Sequence, residues 1–307
     1  MRPTGRTAVL LMALGGPDSL ENVEPYLLEL RGGRPTSPEL IDEIRERYRV
    51  TGGRSPVLDI TRRLAAKLEA RRPVTVFVGL RHWHPFIAEA WAEVVAFAPD
   101  RVVGICLAPQ YSAMTVGKYL EKLADARTDV GGGDVPLSAV RSWATHPGLV
   151  VGLAERVEEA LARFPAGERP SVPVLFTAHS LPERILREGD PYPDEVRATM
   201  EAVIARLPAG QRSAFAYQSQ GRSPEPWLGP EVEATLDGLA ADGVPGVVIA
   251  PIGFLSDHVE TLYDIDVSFA GRADKLGLRM ERTAMLNDSD ALADTLAALV
   301  DEKLPAG

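Results

Sequence analysis

GVVIAPIGFLSDHVETLYDID, residues 246–266, runs without a break from an apolar stretch into a segment crowded with acids around one imidazole. From Gly246 to Phe254 the apolar residues are nearly continuous, as in a strand covered on both faces of a parallel sheet, and Ser256 or Asp257 then stands where a helix N-cap belongs. The polar groups therefore fall just past a strand's carboxyl end, the edge at which open α/β sheets bind ligands. On a helix starting near Asp257, Glu260 and Asp264 lie four apart on one face, with Asp257 on the same ridge. Three carboxylates in a row repel one another unless they are solvated or face a cation, and hard oxygen ligands suit divalent metals. On pattern alone, a solvated helix face is the plainer reading.

A second strand-like run, VPVLFTA at 172–178, ends in His179-Ser180-Leu181-Pro182. It places an imidazole at another strand's carboxyl end, where it can ligate a borderline metal, accept a proton near neutral pH, or simply hydrogen-bond the strand terminus. Other strands are expected over Thr7 to Leu14, Val74 to Leu80, Arg101 to Ala108 and Leu137 to Trp143, then Ala214 to Gln218 and Leu278 to Leu286, with amphipathic segments between them. The alternation predicts an α/β protein of two Rossmann-like domains, each a parallel sheet flanked by helices, with a cleft between them. The boundaries follow as 1–145, 146–286 and a closing helical segment, 287–307.

Composition narrows the function. A length of 307 residues with 45% hydrophobic side chains supplies two well-buried cores, and a net charge of −10 argues against a nucleic-acid partner. The one cysteine, Cys106, lies in the apolar run VVGICLA and reads as a small buried hydrophobe. One thiol cannot hold a four-cysteine iron–sulfur cluster, so none is expected. MRPTGRTAVLLMALGG imitates a signal peptide, but it breaks at Gly15-Gly16-Pro17 without a small-x-small cleavage site; a strand and glycine turn explain it better. No run is long enough to span a bilayer, so no integral membrane segment and a cytoplasmic location are expected. Neither a dinucleotide fingerprint, a P-loop nor a nucleophile elbow is present.

Between Leu27 and Ser55 the chain gathers Arg31, Arg34, Arg45, Arg47 and Arg49 beside Tyr48, an arginine patch in an acidic protein. It is either a solvated face or a cationic rim for carboxylates, which arginine grips bidentately. Ser55-Pro56 reads as an N-cap and N1 pair for a helix through Ala70. His82 and His84 flank Trp83 two apart; they can chelate if extended, though a third ligand is not evident. Trp227, among prolines in SPEPWLGP, serves as a packing anchor or a ligand contact.

AHSLPERI, YQSQGRSPEPWLGPEV and PIGFLSDHVETLYDID, with GGRSP, GLRHWHPF, LAPQYS and DPYPD in the same order along nearly the whole chain, together resemble the ferrochelatases, which insert ferrous iron into a porphyrin. The resemblance implies that His179 is the proton acceptor or last iron ligand, with Glu260 as its partner across the cleft and Asp264 delivering hydrated Fe²⁺ or conducting protons. It implies a π-helix around these acids, a helix start fixed by Asp257 and His258, porphyrin carboxylates held at Arg31, Arg47, Tyr48 and Ser55, and His82 in the pocket. Two departures stand out: Ser268 where a further glutamate is common, and Leu14 where many relatives carry a tyrosine able to ligate iron. The charged segment ELRGGRPTSPELIDEIRERY, in place of an apolar lip, resembles the soluble bacterial branch that uses coproporphyrin III, with protoporphyrin IX as the alternative. The resemblance implies a monomer whose partners are porphyrin and ferrous iron, with no permanently bound cofactor and Fe²⁺ as substrate. It also implies a closing helix packed on the first domain. A class II cobalt chelatase would be expected to carry more metal-binding histidines, and a porphyrin or haem carrier would have no need of His179 and Glu260 as a working pair.

Overall fold

The computed structural model describes residues 5–304, and the chain divides into two compact units. One unit takes in the chain up to Trp143 together with the residues from Asn287 onward, and the other is Ala144–Leu286. The first contains β1 (Thr7–Ala13), α1 (Val23–Leu30), α2 (Pro38–Val50), α3 (Val57–Glu69), β2 (Thr75–Leu80), α4 (Ile87–Phe97), β3 (Arg101–Cys106), α5 (Val116–Asp129) and β4 (Leu137–Val140). The second contains α6 (Pro147–Leu161), β5 (Val174–His179), α7 (Arg184–Arg187), α8 (Tyr192–Ile204), β6 (Ser213–Gln218), α9 (Val232–Ala241) and β7 (Gly246–Pro251), followed by a π-helix (Glu260–Phe269), α10 (Ala270–Lys275) and β8 (Arg279–Arg282). The last helix, α11 (Asp290–Lys303), belongs to the first unit.

Each sheet is parallel, with orders β2-β1-β3-β4 and β6-β5-β7-β8, so the second repeats the plan of the first. The apolar runs become strands because a strand covered on both faces has no polar side: all of β1, TAVLLMA, is buried, as is all of β7, GVVIAP. The observed strands stop short of several runs. β3 ends at Cys106 and β8 at Arg282, because apolar residues such as Met285 and Leu286 continue into buried loops rather than into ladder pairing. Trp91, Leu10, Met12 and Leu123 anchor the core of the first unit; Leu175, Ile249, Ile265 and Phe269 that of the second. Each such side chain contributes about 1.5–3 kcal/mol on burial. Cys106 is buried as expected, and burial pushes its thiol up to about 12.

Helix α3 begins at Val57 rather than at the Ser55-Pro56 pair; Pro56 is the residue before it, and the Ser55 hydroxyl accepts from the Val57 amide at 3.4 Å. Its buried positions Val57, Ile60, Thr61, Leu64 and Leu68 form one stripe. α11 packs on α3, closing contacts more than two hundred residues apart through Arg63–Asp288, Arg71–Asp294 and Arg72–Asp301. Those exposed pairs contribute roughly 0.2–1 kcal/mol each, so the buried face of Leu292, Leu296, Leu299 and Val300 carries the docking. Among the described residues no helix is long and apolar enough to cross a membrane.

Candidate active site

In the second sheet the chain passes from β5 to β6 on one side and then crosses to β7 on the other, which makes the carboxyl ends of β5 and β7 a topological switch point. His179 is the last residue of β5, and Glu260 opens the π-helix that follows β7. The exit of β7 passes hard against β5: a Cβ at Gly253 would stand 2.9 Å from both Cα and Cβ of Ala178, so the position requires glycine.

His179 Nε2 lies 3.5 Å from Glu260 Oε1, and His258 Nε2 lies 3.4 Å from Glu260 Oε2. The carboxylate thus sits between two imidazoles. His179 Nδ1 donates to the Ser180 carbonyl, and His258 Nδ1 to that of Ser256 at 3.1 Å. An imidazole whose Nδ1 proton is committed to a carbonyl turns a bare lone pair toward the carboxylate unless Nε2 is protonated as well. Burial pushes the His179 pKa down, but the charge and hydrogen bond of Glu260, with help from the Ser180 carbonyl and Asp264, overcome it and raise the pKa to about 9. Burial alone would raise the pKa of Glu260; the two histidines hold it well below the usual carboxylate range. At neutral pH the pair is ionic. With 31% and 27% of the two side chains exposed, solvent reaches it.

The expectation that His179 and Glu260 face each other across a cleft is corrected: both belong to one unit and are in direct contact, because β5 and β7 are adjacent strands. Their surroundings hold them in place. The Tyr192 hydroxyl donates to the His179 carbonyl at 2.9 Å, and the Phe254 ring lies edge-on to the imidazole, 6.3 Å between centroids.

The helix after β7 is wound i→i+5, as the resemblance implies. Its start corrects the expected cap and carboxylate row. Neither Ser256 nor Asp257 caps it: the helix opens after Val259, and the Thr261 hydroxyl bonds the His258 backbone. Asp257 leaves the row to pair with Arg282 at 3.2 Å, the same guanidinium that holds Asp266 at 2.7 Å. Asp264 is half-buried, and its Oδ2 accepts from the Ser219 hydroxyl at 2.6 Å; Ser268 is exposed. Trp227 closes over Gly221, where a Cβ would meet its ring at 2.5 Å, and donates to Ser223 Oγ at 3.1 Å. Its loop is tied to the segment after His179 by Glu183 N to Pro226 O and Leu228 N to Leu181 O, each 2.9 Å.

In the first unit, four of the anticipated residues gather around the end of β1. The Leu14 carbonyl accepts from His82 N at 3.0 Å, and the Pro17 carbonyl accepts from Ser55 N at 2.7 Å. A Cβ at Gly16 would stand 2.7 Å from Ser55 Oγ and 3.1 Å from Tyr48 Oη, so this glycine lets both approach the turn. His82 is buried; that burial, together with Arg81 and Lys122, lowers its pKa to about 4, so the imidazole is neutral, and among the described residues its Nδ1 makes no hydrogen bond, the Glu29 carboxylate standing 3.8 Å away. His84 instead is exposed and bound to Glu89 at 2.9 Å, so the two histidines form no chelate. Arg31 follows α1, half-buried, and Arg47 on α2 meets Glu43 at 3.0 Å; the two helices pack together. Arg45 and Arg49 are the solvated part of the patch, each paired with an acid three residues away. Among the described residues, no group of three or more histidine, cysteine or acidic side chains is arranged to hold a metal ion.

Residues 6–304 match the family model described as Ferrochelatase. The chain belongs to the ferrochelatase family. It is 41% identical over 303 residues to the ferrochelatase of Herpetosiphon aurantiacus, spanning 97% of this chain and 99% of that protein, and 40% identical over 304 residues to that of Deinococcus radiodurans, spanning 96% and 95%. It is 35% identical over 307 residues to the coproporphyrin III ferrochelatase of Bacillus subtilis, spanning 97% and 98%. Among solved structures, SirB from Bacillus subtilis with Fe³⁺ matches 97% of this chain and 95% of its own with a TM-score of 0.63 at 12% identity, a likeness of fold alone. As a ferrochelatase the chain is an enzyme of metal insertion into porphyrins.

The sequence reading missed three features of this candidate site: the imidazole of His258 on Glu260, the Ser219 hydroxyl on Asp264, and Arg282 binding two acids. Gln218-Ser219 stands at a strand's carboxyl end, the same signal that marked His179, and that rule applied to β6 would have found it.

Proposed function

We propose that this ferrochelatase inserts Fe²⁺ into coproporphyrin III, in haem biosynthesis. The reading is carried by the His179–Glu260 pair at the switch point of the second sheet. Metallating a porphyrin removes two pyrrole protons, strips water from the ion and needs access to nitrogens that a flat ring shields; binding that bends the ring supplies the access. His179 and Glu260 titrate as a unit. His179 accepts a pyrrole proton, or donates its Nε2 lone pair to iron, only after shedding the proton it holds against Glu260. A dication entering the pair favours that loss, so iron arrival and proton release are linked. Asp264, one turn along the π-helix, adds a carboxylate for hydrated iron or for outward proton transfer.

For the substrate, support comes from the charged α1–α2 segment. Arg31 and Arg47 suit a porphyrin with four carboxylates, and relatives such as that of Bacillus subtilis are named for coproporphyrin III. The proposal includes no resident cofactor and, with one cysteine, no iron–sulfur cluster; it places the enzyme in the cytoplasm.

The test is anaerobic Fe²⁺ insertion by the purified protein, comparing coproporphyrin III with protoporphyrin IX by absorbance under one detergent condition. Faster turnover with coproporphyrin III is expected. Preference for protoporphyrin IX overturns the substrate assignment, and tight binding without insertion of either overturns the activity in favour of a carrier.

A further inference from the structure

We infer that Ser219, itself held by Gln218, is a positioning residue that fixes the orientation of the Asp264 carboxylate presented to iron; this rests on the insertion reading above. Gln218 ends β6 directly opposite His179 in the parallel register and is 3% exposed. Its amide carbonyl accepts from the Thr177 hydroxyl at 2.6 Å, while its Nε2 donates both to Ser219 Oγ and to the Glu260 carbonyl, each at 3.3 Å. The Glu260 carbonyl can only accept, which fixes the nitrogen on that side of the amide. Ser219 Oγ therefore receives a hydrogen bond from Gln218 and gives its own proton to Asp264 Oδ2 at 2.6 Å. The chain of donors runs one way, Thr177 to Gln218 to Ser219 to Asp264. The same amide that holds the serine also grips the first carbonyl of the π-helix, so β6 sets the position of that helix and the direction of its second carboxylate together.

The backbone supplies a separate observation. Ser219 has φ of +57°, a left-handed conformation that side chains other than glycine's rarely adopt and that glycine takes without strain. A turn needed only for connection would be better served by glycine. What serine brings there and glycine lacks is the hydroxyl, and that hydroxyl is spent on Asp264.

Two variants separate this role from a merely structural one. Ser219→Gly relieves the backbone and deletes the donor; Ser219→Ala deletes the donor alone. For Ser219→Gly the expectation is a melting temperature equal to or above wild type, an unchanged coproporphyrin III affinity by fluorescence quenching, and a KM for Fe²⁺ raised about tenfold, as befits a lost hydrogen bond to a charged group. Ser219→Ala should raise KM equally, and adding it to Asp264→Ala should produce no further loss, because the serine acts through that carboxylate. Anaerobic calorimetry with Fe²⁺ alone reads the same weakening without turnover, so a wild type that binds Fe²⁺ but does not insert it overturns the insertion reading and not this one. A wild-type KM and Fe²⁺ affinity in Ser219→Gly, or additive losses in the double variant, overturns the inference.

Discussion

Replacing Glu260 by Gln keeps the side chain's size and removes the charge between the two histidines. His179 titrates at about 9 against an ordinary 6.5, a difference worth about 3 kcal/mol in favour of the charged imidazole. The two side chains are 31% and 27% exposed, and solvent screening reduces the contribution to stability to roughly 1–2 kcal/mol. The sign is fixed by linkage. A histidine with a raised pKa contributes fully below 6.5 and loses that contribution as pH rises through about 9, whereas Glu260, with a lowered pKa, contributes above 4.5 and loses it as pH falls. Wild type should therefore lose about 1–2 kcal/mol of unfolding free energy between pH 6 and pH 9.5, and Glu260→Gln should lose little of it over the same interval. In the variant, burial, the largest influence on His179, is opposed only by the Ser180 carbonyl and Asp264, so the imidazole should titrate well below 9. Urea unfolding across that range and NMR titration of the His179 ring measure the two effects. A ring in Glu260→Gln that still titrates near 9 would refute the electrostatic account of the pair.

Gly253→Ala should push the exit of β7 off Ala178, lowering stability by about 1–3 kcal/mol in urea unfolding and reducing iron insertion by displacing Glu260 from His179. Arg282→Ala leaves Asp257 and Asp266 without their shared guanidinium, which is 16% exposed, and should cost roughly 1–3 kcal/mol by the same assay, with no change in porphyrin affinity. Arg31→Ala and Arg47→Ala should each raise KM for coproporphyrin III more than for protoporphyrin IX, by about tenfold where a bidentate carboxylate contact is lost; equal effects on both porphyrins would remove the arginines from substrate choice.

Much of the fold was legible because strands covered on both faces leave continuous apolar runs, and the eight strands among the described residues lie within or beside the runs that announce them. His179 and Glu260 were legible for a related reason: each follows such a run, and the carboxyl edge of a parallel sheet is where polar residues meet a ligand. What escaped were pairings that only the folded chain makes. Arg282 and Asp257 are 25 residues apart, Ser219 and Asp264 are 45 apart, and neither pair has a periodicity that links it. The supposed row Asp257, Glu260, Asp264 presumed α spacing from Asp257, while the helix starts later and winds as π, releasing Asp257 to Arg282. The direct contact of His179 with Glu260 followed from strand order, which spacing does not specify: β7 returns beside β5, on the side away from β6.

The central claim is that His179, working with Glu260, does the metal chemistry rather than holding the porphyrin. Anaerobic Fe²⁺ insertion into coproporphyrin III by wild type and His179→Ala, with porphyrin affinity measured alongside by fluorescence quenching, tests it most directly. The account predicts insertion reduced about 10²-fold or more in the variant, with porphyrin affinity unchanged. Full insertion by His179→Ala would contradict it.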